Sequence, residues 1–131
     1  MLKDVETKLS GIEKEFSAFV TSVTEKLNNS QIDFVPDALI SLGIYKMRLL
    51  GLLQEFENEK AKAILDIDSA ARNSTTKITE AKITKVIEAD PLYQQIKLDI
   101  AKTKGLIDAL TSTSIAISTA VKIWGGATVD E

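Results

Sequence analysis

Apolar residues recur at steps of three and four along almost the whole chain, and only two prolines, Pro36 and Pro91, interrupt it. That spacing lays one apolar stripe on a helix and conflicts with the two-residue repeat of a strand. Val5, Leu9, Ile12, Phe16, Phe19, Val23 and Leu27 predict a helix over residues 2–28. Asn28, Asn29 and Ser30 are turn formers, and Pro36 suits the first turn of a following helix. The second stripe is Leu39, Leu42, Lys46, Leu49, Leu53, Phe56, Lys60, Ala63, Ile67 and Ala70. It predicts a helix over 37–72 that "RNSTTK" stops.

Thr79 reads as the N-cap of a short helix over 79–89, with Ile78 and Ile83 placed for a hydrophobic staple. Ile83, Val86 and Ile87 form its inner face, with Lys77, Lys82 and Lys85 opposite. Asp90-Pro91 then opens the last helix, since Asp caps and Pro fits the first position. Its seam is Tyr93, Ile96, Ile100, Thr103, Ile107, Leu110, Ser114, Ile117, Val121 and Trp124. The stretch "TSTSIAIS" inside it is rich in β-branched and hydroxylated residues that disfavour helix locally. It stays in phase with the seam and has no strand to pair with, so it reads as helix whose small side chains admit a close neighbour. The helix is expected over 91–124, with Gly125-Gly126 ending it and a tail over 125–131.

The fold class is therefore all-α, one domain over 1–131: an elongated bundle of three long amphipathic helices plus one short helix, with coiled-coil-like packing. A helix spanning 91–124 is about 50 Å long, whereas a compact chain of this size is under about 40 Å across. The helices belong to an elongated monomer or, as we expect, to a homo-oligomer. Trp124 reads as a core or interface anchor.

Composition narrows the chemistry. With no cysteine and no histidine, the chain lacks thiolate ligands, imidazole ligands and the commonest general base. No phosphate loop or nucleophile elbow occurs. Glu55, Glu57 and Glu59 read as a solvated face rather than a di-metal or glycosidase pair. Neither catalysis nor a cofactor or metal is expected. The first residues lack the apolar core of a signal peptide, and no run of about 18 apolar residues suggests a membrane span. A cytoplasmic protein without membrane partners is expected.

Net charge is −3, so a nucleic-acid site would need a local basic patch. Lys60, Lys62, Arg72, Lys77, Lys82 and Lys85 surround the junction of the second and third helices, and would form one positive edge if the hairpin folds back. They also read as ordinary solvated lysines among acids. Aromatic residues for base stacking are sparse there, with Tyr45 and Tyr93 the candidates.

The order "EKAKAILDIDSAAR", polar break, "KITEAKITKVIEADPLYQQIK" and a long helix ending in "IWGGA" resembles the small all-helical recombination mediators of tailed phages, the UvsY type. The similarity covers about residues 37–126. Its most distinctive part is Thr79, Glu80, Ile83, Asp90, Pro91 and Tyr93. The resemblance implies a non-enzymatic oligomer that binds single-stranded DNA and helps load a recombinase onto strands coated by single-strand-binding protein. It places Lys62 at a family lysine. Ile64 stands where a second basic residue is expected, and Thr111 to Ser114 stand where arginines are frequent. The alternative expectation is a helical scaffold or protein-binding module, such as a phage assembly factor or an inhibitor of a host protein, that binds no nucleic acid.

Overall fold

The structure is a computed structural model that describes residues 2–74 and 78–129. Four helices and no strand occur among these residues: α1 (Leu2–Asn28), α2 (Val35–Ser74), α3 (Glu80–Ala89) and α4 (Pro91–Val129). Lys77 and the acidic end Asp130-Glu131 lie outside the described residues.

The apolar stripe of α1 is buried as expected, through Val5, Leu9, Ile12, Phe16 and Val23. A Schellman arrangement ends the helix: Gln31 N–H donates to the Lys26 carbonyl at 3.0 Å, and Ser30 N–H to the Leu27 carbonyl at 3.1 Å. Ser30 takes the left-handed backbone this stop requires, at φ 55°. α2 returns antiparallel. Lys8 meets Glu55 at 3.6 Å and Glu15 meets Arg48 at 2.6 Å. Nearer the turn, Tyr45 packs edge-on against Phe16 and Phe19, and Lys26 lies over the Phe34 ring.

α2 starts two residues before the expected Asp37 and runs on to Ser74. Pro36 fits inside its first turn, where the missing N–H has no helical acceptor. The buried side also differs from the predicted stripe. Ala38 and Ala71 are buried instead of Leu39 and Ala70, Lys46 is exposed, and Leu52 is more buried than Leu53. A straight helix drifts about 20° per heptad against a strict seven-residue repeat. Around residues 38–53 apolar residues surround α2, so spacing alone does not select the inner side.

α2 packs most extensively against α4, and α3 lies against both at the far end. A groove between α2 and α4 is lined by Leu39, Gly43 and Lys46 on one side and Leu110, Thr111, Ser114 and Ile115 on the other. The start of α2 thus lies beside the second half of α4. The two helices run antiparallel, and α4 runs parallel to α1, to which Lys102 reaches through Glu13 at 3.3 Å. Phe56, Leu49, Ile96, Ile117 and Thr103 are the most completely buried side chains. Burial of each such aliphatic or aromatic side chain stabilises by about 1.5–3 kcal/mol.

The Ser/Thr stretch is helical, and two of its hydroxyls bond within the helix. Thr111 and Thr113 donate to the carbonyls of Ile107 and Ala109, four residues back, at 3.2 and 2.9 Å. The expected stop at Gly125-Gly126 is not observed, because α4 stays helical to Val129. No described glycine has positive φ, and glycine that keeps helical angles weakens a helix without ending it. Val121, expected in the seam, is 39% exposed, since α4 there has outrun the start of α2. By length and composition α4 is apolar enough over Pro91–Trp124 to cross a membrane, contrary to the expectation that no segment would be. After Lys104 that stretch carries only Asp108 and Lys122, while Ile96, Ile100, Leu110 and Ile117 are packed into the shared core.

Candidate nucleic-acid interface

α3 is a ten-residue helix held by its caps. Thr79 Oγ1 accepts from Lys82 N–H at 3.2 Å, satisfying one of the donors that a helix start leaves open. Ile78 is half-buried and Ile83 buried, as a hydrophobic staple requires. Asp90 Oδ1 accepts from Tyr93 N–H at 3.0 Å and caps α4. Val86, expected inside, is 45% exposed. On so short a helix one residue, Ile83, carries the buried contact and Ile87 lies half-buried beside it.

These caps set where the basic residues stand. Lys82 and Lys85, three apart on α3, share one exposed side of that helix. Lys62 is exposed on α2, whereas Lys60 is half-buried; two residues apart, they point about 200° away from each other around the helix. None of these four lysines enters an ion pair among the described residues. Arg72 does. Its guanidinium donates to Asp68 at 3.1 Å and to Glu80 at 2.8 Å. Its pKa is raised further by the hydrogen bond to Glu80 first, then by Asp68. The structure therefore places Lys62, Lys82 and Lys85 as exposed cations on two touching helices, turns Lys60 toward the packed side, and commits Arg72 to acids. Asp66 and Glu88 stand among them in sequence, which dilutes the local positive charge. Tyr93, the nearest stacking candidate, is half-buried with Lys97 over its ring at 5.5 Å.

Asp99 was not singled out by its sequence context. It is 7% exposed, and its Oδ1 accepts from Gln95 at 3.2 Å. Its Oδ2 is buried with no hydrogen-bond partner among the described residues. Burial raises its pKa, opposed by the Gln95 hydrogen bond and the charge of Lys102. One turn on, the fully buried Thr103 donates to the Asp99 carbonyl at 2.7 Å. A lone carboxylate in the i, i+3/i+4 pattern of a seam is the sequence sign of such a site.

No group of acidic residues among those described is arranged to hold a metal ion. Of the three glutamates of "QEFENEK", Glu55 and Glu59 lie one turn apart and line a groove with Asp4 and Lys8, where Glu55 pairs with Lys8 at 3.6 Å, while Glu57 stands about 200° around the helix from Glu55. No protein-family model, curated protein or solved structure matches this chain.

Proposed function

We propose that this chain is a non-enzymatic binding protein that holds single-stranded nucleic acid by its phosphate backbone, in the manner of the phage recombination mediators it resembles, and so assists loading of a recombinase. The observation that supports this reading is the trio Lys62 on α2 and Lys82 and Lys85 on α3, all exposed and in no ion pair among the described residues. Cations of this kind contact phosphates irrespective of base. The buried positions at steps of three and four support coiled-coil-like packing of α1, α2 and α4 into an elongated bundle. Fluorescence anisotropy of a labelled strand of about 30 nucleotides, titrated at two salt concentrations beside a duplex control, tests the reading. Salt-sensitive binding that prefers the single strand supports it, and no binding at low salt removes it.

A second reading, a helical scaffold that binds protein alone, is favoured by one feature. Ile40, Ile44 and Met47 expose an apolar face on α2, at 63, 52 and 75%. Recovery of one stoichiometric protein partner that survives nuclease treatment, with no nucleic-acid binding, would select it.

A further inference from the structure

α2 is apolar on two opposite sides. Leu42, Leu49, Leu52 and Phe56 face the core. Around the helix from them, Pro36, Ile40, Ile44, Met47 and Leu50 follow at steps of three and four, and the last four are all exposed. A helix apolar all round is ordinarily covered all round, and no described part of this chain covers the outer side. Gly43 and Gly51 belong to the same stripe. A β-carbon added to either would meet nothing within 4 Å. Glycine inside a helix costs about 1 kcal/mol against alanine, and no packing within the chain requires it at these positions.

Within four residues of Met47 the stripe reads alike in both directions, while further out Ile40 is answered by Gln54. Ile44 and Leu50 stand three residues to either side, Gly43 and Gly51 four residues. In a two-fold contact between antiparallel copies centred on Met47, each residue meets the one equally far on its other side, so glycine is set beside glycine and Ile44 beside Leu50. The stripe carries no charge from Pro36 as far as Asn58.

We infer that the chain forms a two-fold dimer through the outer side of α2, with Met47 against its own counterpart and Gly43 of each copy against Gly51 of the other. The glycines let the two backbones approach, and Ile44 and Leu50 fill the space beside Met47. This interface stands independently of the nucleic-acid reading.

Sedimentation equilibrium of the full chain should give twice 14.3 kDa, and Met47→Glu should return it to the single mass with an unchanged far-UV helical signal. The chain has no cysteine, so Met47→Cys supplies one thiol per copy, and a short bis-maleimide should link most chains in pairs. A mixture of Gly43→Cys and Gly51→Cys chains should link several-fold more than Gly43→Cys alone. A single mass in the unmodified chain, an assembly that survives Met47→Glu, or failure of Met47→Cys to link overturns the interface. Equal linking by Gly43→Cys alone overturns its antiparallel arrangement.

Discussion

Arg72 in the last turn of α2 donates to Glu80 in the first turn of α3 at 2.8 Å, while its Nε is held by Asp68 one turn back. One guanidinium thus joins the two helices. Two carboxylates already satisfy it, so it differs from Lys62, Lys82 and Lys85, which are exposed and enter no ion pair among the described residues.

Phosphate binding should show that difference. Replacing Lys62, Lys82 and Lys85 together by Ala should lower the slope of log affinity against log salt by about 2, since each single-strand phosphate contact contributes roughly 0.7. Arg72→Ala should change affinity by about twofold or less, because releasing Asp68 and Glu80 offsets the lost cation. Anisotropy titrations of both variants over a salt series make the comparison. An Arg72→Ala loss as large as that of the triple variant would show that the guanidinium, not the lysine trio, meets the strand.

Asp99 gives a pH dependence whose sign is fixed by burial. Its folded pKa lies above the ordinary carboxylate value of 3.8, so the folded state binds its proton more readily than the unfolded chain does. Above the folded pKa the charged, buried carboxylate costs stability in full; as pH falls through that pKa toward 3.8, this cost is progressively relieved. Asp99→Asn should therefore stabilise the protein at pH 7 by about 1 kcal/mol, the lower range for an unsatisfied buried group. The advantage should shrink on acidification through that window. Thermal melts of both proteins from pH 7 to pH 3 test it, and a gap that widens toward acid would contradict the assignment.

Ser30 holds the left-handed position of the α1 stop at φ 55°, a conformation that glycine adopts without the steric cost of a β-carbon. Ser30→Gly should raise stability by about 0.5–1 kcal/mol, read as a shift in the urea midpoint with unchanged slope. Its side chain is exposed, so no buried contact opposes the gain. A loss of stability would mean that the serine hydroxyl contributes to the turn.

What the sequence disclosed depended on how far each signal reached. Caps are local, and the roles of Thr79 and Asp90 were legible because the side chain and the N–H it accepts lie three residues apart. The stripe of α1 was legible because that helix has one apolar side. α2 was less so: with Leu39, Ile40, Ile44 and Met47 beside Leu42 and Leu49, period alone cannot tell the core from the outer side. The glycines at 125 and 126 misled because a stop needs positive φ, which composition does not reveal. Nor could spacing show that Arg72 would be neutralised by Glu80, a contact made only once α3 folds back. The three exposed lysines are among the six basic residues that the sequence points to, but the separation of Lys60 from Lys62 around the helix required placing the inner side first.

The two sides of α2 should also respond very differently to truncation. Phe56 is 0% exposed in the core shared with α1 and α4. Phe56→Ala removes the buried ring and leaves a cavity that three long helices cannot close without shifting register, so the loss should be about 3–5 kcal/mol. Leu65, nine residues further along and 66% exposed, touches little of the core, and Leu65→Ala should lie within about 0.5 kcal/mol of the parent. Leu65 also lies beyond the stripe centred on Met47, so its truncation leaves self-association undisturbed and the two variants can be compared at one protein concentration. Urea unfolding followed by far-UV circular dichroism measures both. Comparable losses would mean that residues near Leu65 are covered in solution, and that the face open on α2 extends past Asn58 toward α3.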